Sequence, residues 1–198
     1  VRIEDTDRAR FVEGAEQVIY DCLAWFNLEP DESPVKGGPY VPYRSSERLT
    51  TYQKYAKVLI DESHAYYCFC SKERLEQMRQ EQQKKGLPAK YDKHCLSLSK
   101  QDIAKNLESG KEHVIRLNVP SGEKISFKDE IAGEIEFESN LIDDQVLIKS
   151  DGYPTYHLAV VVDDYLMKIS HVFRGTEWIS STPKHILIYL FLFTYHLF

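Results

Sequence analysis

The chain has little of what marks several common protein classes. Four cysteines (Cys22, Cys68, Cys70, Cys95) in 198 residues are too few and too unevenly spaced for a disulfide framework. Nine glycines and eight prolines exclude collagen and a low-complexity tail. Positive charge is outweighed, with 25 Lys+Arg against 31 Asp+Glu and a net charge of −6. That excludes a protein that coats nucleic acid through bulk charge, so any contact with RNA or DNA has to come from a local patch. The longest apolar run, 186–198 (ILIYLFLFTYHLF), has 13 residues, short of the roughly 20 that cross a bilayer as a helix. It reads as a buried core helix, and no membrane partner is expected. The charged opening VRIEDTDRAR is no secretory signal. What remains is the expectation of a soluble intracellular chain, long enough for one domain or two small ones. Val1 and Ile3 read as the end of a strand and the chain stops inside the apolar run, so a fragment of something larger is expected.

Apolar residues at Val12, Ala15, Val18, Ile19, Cys22, Leu23 and Phe26 recur at helical spacing and predict an amphipathic helix, with Cys22 as a packed core thiol. The stretch 27–43, with four prolines and two glycines, predicts a long loop. Helical spacing returns at Leu49, Tyr52, Ala56, Leu59 and Ile60. A further helix is predicted over Lys72–Lys85, capped by Ser71 and stopped by Gly86. Ser99 with Asp102 resembles a capping box for a short helix ending near Gly110. Alternation at Ile115, Leu117 and Val119, the turn 120–123 and alternation at Ile125 and Phe127 predict strands, as do Ile131–Phe137 and Val146–Ile148. The final helix is predicted to start with Thr182 as cap and Pro183 in its first position.

Cys68-Phe69-Cys70 in an extended segment projects two sulfurs to one side. Cys95 follows after 24 intervening residues, beyond a helix that allows the chain to close on the same ion. A structural zinc takes four ligands, and His94, Tyr91, Asp92 and Ser97 compete for the fourth place. Between Lys72 and His94 lie seven Lys/Arg and four Asp/Glu. A solvated helix face explains that excess, ahead of a phosphate-facing patch.

Three clusters look like strand ends, where open α/β sheets gather ligands. They are Arg2–Arg8, Ser150–Asp164 and His171–Trp178. The run Val160-Val161-Val162-Asp163-Asp164 reads as a buried strand delivering carboxylates to its end, and His171–Phe173 as another strand. Together the clusters hold the Glu, Tyr, Arg and Trp of a pocket for a small zwitterion, the arginine suited to a carboxylate.

At these residues the chain resembles the bacterial and organellar glutamyl-tRNA synthetases, a class I family. The matching stretches are RIEDTDR at Arg2–Arg8, GPYVPYRSSERL at Gly38–Leu49, CFCSKERL at Cys68–Leu75, KSDGYPTYHLAVVVDD at Lys149–Asp164 and FRGTEWISSTPKH at Phe173–His185. The resemblance implies an α/β, Rossmann-type catalytic domain (1–64 and 155–198) split by an inserted α+β domain (65–154) that receives the tRNA acceptor stem. It also implies ATP- and Mg²⁺-dependent activation of L-glutamate and its transfer to tRNA(Glu). By that likeness Glu4 binds the α-ammonium of glutamate, Arg174 and Tyr156 its side-chain carboxylate, and Trp178 lines the pocket. Glu177 lies by the ATP, and Asp7, Arg10 and Asp164 lie near the tRNA end. Zinc-binding relatives share Cys-x-Cys followed by Tyr-x-x-x-Cys, which makes Tyr91 the fourth ligand beside Cys68, Cys70 and Cys95.

Two departures qualify that likeness. The His-x-Gly-His-like signature belongs before Val1 and the KMSKS-like loop after Phe198, so this stretch alone is expected to be inactive. Val160 stands where some members carry Asn, and the end of the run, 191–198, differs from the family's continuation. A glutamyl-queuosine tRNA(Asp) synthetase and a non-catalytic zinc- and RNA-binding module are the alternatives. The expected state is a monomer in a bacterial cytoplasm or, alternatively, a mitochondrial matrix.

Overall fold

A computed structural model describes residues 1–7, 10 and 12–194. The order of elements begins with α1 (Ala15–Trp25), followed after a long irregular stretch by α2 (Leu49–Asp61). Next come β1 (Ala65–Cys68), α3 (Lys72–Lys84) and α4 (Lys100–Glu108). Strands β2 (Val114–Leu117), β3 (Lys124–Asp129), β4 (Gly133–Glu138) and β5 (Val146–Ile148) lead to α5 (Tyr156–Leu166) and α6 (Thr182–Phe193).

The main sheet is antiparallel in the order β1-β2-β5. Ala65 faces Leu117 and Cys68 faces Val114 across β1 and β2, and the register shifts between Ile115 and Arg116 where β2 meets β5. Against this sheet α2, α5 and α6 bury one continuous core that includes Tyr52, Leu59, Leu117, Leu147, Leu158 and Ile188. The hairpin β3-β4 pairs Ile125 with Phe137 and Phe127 with Ile135, so its apolar residues share one face, as period-two alternation requires. Among the described residues, parallel pairing occurs only at the isolated bridge Ile3–Arg44.

Local signals produce several elements as expected. Ser71 accepts from the Arg74 N–H at the start of α3, and Ser99 accepts from the Asp102 N–H at the start of α4. Each hydroxyl satisfies a donor that the first helical turn leaves free. Gly86 and Gly110 follow their helices with φ of +66° and +68°, a conformation that costs glycine little. α3 buries none of its residues, in keeping with a solvated helix.

Other expectations fail for identifiable reasons. Val160–Asp164 lies inside α5, not in a strand. A continuous apolar run has no period of its own, and burial among α2, α6 and the sheet outweighs the modest helix penalty of three valines. His171–Phe173 is irregular and exposed. Ile131 is 93% exposed at the β3-β4 turn, and the strand begins only at Gly133. Ser181, one residue earlier than expected, caps α6, which puts Thr182 first and Pro183 second. α1 forms but buries nothing: Val18, Ile19, Trp25 and Phe26 are exposed, and Cys22 is an exposed free thiol and not a core residue. Helical spacing identifies an apolar stripe, whereas burial needs a surface to meet it. Residues 195–198 of the apolar run lie outside the described residues, as do Arg8, Ala9 and Phe11.

Candidate functional site

The site is assembled by long-range pairing of charges. Ile3 N–H donates to Tyr43 O at 2.9 Å, and Ser45 N–H donates to Ile3 O at 2.9 Å. This short ladder fixes the segment that carries Glu4. Asp5 accepts from Ser46 N–H at 2.8 Å and from its hydroxyl at 2.6 Å, anchoring the 3₁₀ turn Ser45–Arg48. Arg48 thereby enters the interior, where its Nε donates to Asp163 Oδ1 at 2.7 Å. Tyr52 OH donates to the other oxygen of Asp163 at 2.6 Å. Asp163 is fully buried, so both partners are needed to offset its desolvation. The same interaction raises the Tyr52 phenol, through burial first and then its bond to Asp163.

Arg2 approaches the acids from the opposite side. Its Nη2 is 2.9 Å from Glu4, its Nη1 is 2.9 Å from Asp164, and its Nε is 3.7 Å from Asp163. Burial opposes the Arg2 cation, but these carboxylates more than offset it and raise its pKa.

Two cavities adjoin this network. The larger, about 780 Å³, is lined by Arg2, Glu4, Tyr156, Val160, Asp164 and Arg174 among others. The smaller, about 510 Å³, is bordered by Glu4, Asp7, Arg10, Lys149, Tyr156 and Trp178 among others. Glu4 and Tyr156 therefore belong to the wall between them. Tyr156 packs edge-on against Trp178 with ring centroids 5.3 Å apart, and the Arg174 guanidinium lies 5.7 Å from the Tyr156 ring. Burial raises the Tyr156 phenol while Arg174 opposes that shift.

Arg174 rises from the irregular segment before the 3₁₀ turn Thr176–Ser181, and a histidine pair meets it. Its Nη1 lies 2.8 Å from His185 Nδ1, and His185 Nε2 lies 2.9 Å from His157 Nδ1. Burial lowers His157 to about 4 and His185 to about 3, with the Arg174 and Lys184 cations acting in the same direction.

Of the residues expected from the sequence, Glu4, Tyr156, Arg174 and Asp164 meet at the larger cavity. Asp164 pairs there with Arg2. Asp7 and Arg10 line the smaller cavity and pair with each other at 2.6 Å. Trp178 lines only the smaller one, sharing Tyr156 with its neighbour. Glu177 is exposed and lines neither cavity; its carboxylate folds back over Gly175.

A second cluster lies away from both cavities. The sulfurs of Cys68, Cys70 and Cys95 all lie within 4.8 Å of one another. The Tyr91 hydroxyl is 3.3 Å from Cys68 Sγ and 3.2 Å from Cys70 Sγ, and it accepts from the Cys95 N–H at 3.1 Å. Hydrogen bonding from Cys95 lowers Cys68 to about 4 and raises Cys95, as expected when two thiols share one proton. Burial raises Tyr91. His94 and Ser97 are exposed, and Asp92 is engaged by Arg74 at 2.6 Å. A zinc ion with bonds of about 2.3 Å to sulfur needs sulfurs roughly 3.8 Å apart, and this donor set fits that requirement.

Several residues of the site lay in the clusters and matching stretches of the sequence without a role assigned to them. Arg2, Arg48, His157 and His185 act through partners that are 28 to 161 positions away. Only the paired acids Asp163-Asp164 after an apolar run hinted at the hub.

Comparisons with known proteins place the chain in a family. Residues 1–197 match the family model described as tRNA synthetases class I (E and Q), catalytic domain. The chain is 55% identical over 189 residues to "Glutamate--tRNA ligase" of Gloeobacter violaceus, covering 96% of this chain and 36% of that protein. It is also 55% identical to the protein of that name from Fusobacterium nucleatum, covering 37% of it. The chain thus spans little more than a third of the length of these relatives. A glutamate tRNA ligase of Elizabethkingia meningosepticum, solved in complex with its amino acid, superposes with a TM-score of 0.92 at 41% identity, over 96% of this chain and 39% of that one. The glutamate-tRNA synthetase of Elizabethkingia anophelis matches with the same TM-score and identity, over 40% of its length.

Proposed function

Because the chain belongs to the class I tRNA synthetases of the E and Q type, we propose that its larger cavity is the L-glutamate site of an enzyme that attaches glutamate to tRNA(Glu) through glutamyl-adenylate. The observation that carries this reading is the convergence of Glu4, Tyr156 and Arg174 on one cavity. Arg174 and the Tyr156 hydroxyl hold the side-chain carboxylate. Glu4, whose Oε1 is committed to Arg2, offers its other oxygen to the α-ammonium. That leaves the α-carboxylate free to react, and ATP with Mg²⁺ supplies the phosphoryl chemistry. The chain's own contribution is positioning and electrostatic complementarity, with no covalent enzyme intermediate.

Selection against glutamine follows from the same cation. A carboxylate accepts two N–H bonds from Arg174, whereas a neutral amide leaves part of the guanidinium unpaired, at a cost of about 2–3 kcal/mol. The smaller cavity, with Asp7, Arg10 and Trp178, lies on the side that admits the tRNA 3′ end. Asp164 acts through Arg2, and Glu177 stands toward the nucleotide. In this reading, 65–154 is the acceptor-stem domain inserted between 1–64 and 155–198. Cys68, Cys70, Tyr91 and Cys95 hold one structural zinc, which supplies a four-coordinate cross-link there. The protein acts as a monomer in a reducing cytoplasm, in keeping with its four free thiols. No helix among the described residues is long and apolar enough to cross a membrane.

Calorimetric titration of L-glutamate into the chain and its Arg174→Gln variant tests the reading. The substitution should weaken glutamate roughly 100-fold, about 2.7 kcal/mol, and bring glutamate and glutamine to similar affinity. Equal glutamate affinity in the two proteins would refute it.

A further inference from the structure

Arg174 depends on more than its own rotamer preference for its pose. It leaves an irregular segment whose neighbour Phe173 is 89% exposed, so nothing in the local backbone restricts a long, flexible side chain. The restraint comes from the first turns of two helices: His157 opens α5 and His185 opens α6.

The hydrogen-bond order of this chain has only one consistent solution. A guanidinium donates and never accepts. With Arg174 Nη1 at 2.8 Å, His185 Nδ1 is therefore the acceptor and carries no proton. The neutral ring must then carry its proton on Nε2, which donates across 2.9 Å to His157 Nδ1. His157 in turn keeps its proton on Nε2. Three further features hold both rings neutral. The positive ends of the α5 and α6 dipoles oppose a cation in either first turn. His185 is 8% exposed, and the charged groups acting on the pair, Arg174 and Lys184, are both cationic. Tyr156 completes the bracket, with its ring 5.7 Å from His185.

We propose that His185, backed by His157, is a positioning residue for Arg174. The neutral imidazole pair takes one guanidinium N–H and thereby fixes which donors remain directed into the cavity. The inference rests on reading that cavity as a glutamate site. Its chemical content is an orientation, since the pair neither touches the substrate nor moves a proton during the reaction.

The test compares the chain with its His185→Asn and His185→Gln variants. Asparagine places an oxygen near the position of Nδ1, whereas glutamine extends its polar group toward that of Nε2. The two are alike in polarity, so a merely structural role predicts no difference between them. Long-range proton–nitrogen spectra of the unmodified chain should show His185 Nδ1 unprotonated. Separate Nη resonances for Arg174, the mark of a restrained guanidinium, should persist in His185→Asn and average in His185→Gln. Glutamate affinity should stay within about threefold in the first and fall tenfold or more in the second. A protonated His185 Nδ1, or equal spectra and affinities for the two variants, overturns the proposal. An ordered Arg174 in a chain that binds no L-glutamate defeats the reading of the cavity instead, so the two failures are distinguishable.

Discussion

The charged site and the thiol knot solve one problem, the burial of polar groups, in opposite ways. Around Asp163 every charge meets a counter-charge or donor from the chain itself: Arg48 and Tyr52 at 2.7 and 2.6 Å, with Arg2 behind them. Around Cys68 the partners are other soft or neutral donors, three sulfurs and a phenol that bond mainly to one another. The first region is complete as it stands and therefore preorganised. The second concentrates ligand atoms in one place. One is built for precision before anything binds, and in the proposed reading the other would take its rigidity from a bound zinc.

The contrast sharpens when each side is broken. Asp163→Ala removes the acceptor for two buried donors and leaves Arg48 without its counter-charge. It should cost about 3–5 kcal/mol of unfolding free energy, read from urea denaturation, and a loss under 1 kcal/mol would show that water enters the site. Acidification should act next. His157 and His185 are held neutral, with pKa values below the ordinary 6.5, at about 4 and 3. The unfolded chain therefore binds protons first. Their contribution is complete above pH 6.5 and is lost as pH falls from there toward 3–4, on the order of 2 kcal/mol after allowance for partial exposure. The His185→Gln variant should show a shallower pH slope of melting temperature than the parent chain over pH 6.5 to 4; identical slopes would sink the assignment. On the thiol side, chelator-free protein should contain one zinc per chain by elemental analysis, and its removal should lower the melting temperature. Finding no metal would undo the proposed knot. The smallest effect belongs to Tyr91→Phe, which should weaken zinc by about tenfold, or 1.4 kcal/mol, while all three sulfurs stay in place.

How much of this was legible in the residues depends on the range of the interaction. Ser71, Ser99 and the 120–123 turn act within four positions, and the sequence displays their whole mechanism. The thiol spacing was equally visible, because Cys70 follows two residues after Cys68 at the end of β1. The fourth position was not settled by spacing alone, since the turn around Lys93, with φ of +57°, decides which of Tyr91 to Ser97 faces the sulfurs. The α5 valines misled because a fully buried helix and a buried strand present the same unbroken apolar run. The partners of Arg2, Arg48 and the histidine pair were invisible for a different reason. Their roles are defined by partners brought together only when α2, α5 and α6 pack, and no local pattern carries that information.

Glu4 and Tyr156 form a party wall between two chambers. A guest that shifts either side chain on one side changes the shape and potential of the room next door. By thermodynamic reciprocity, the second guest must then alter the hold on the first by the same factor. Two binding events on either side of such a wall would be coupled without any hinge, lid or domain rotation to transmit the message.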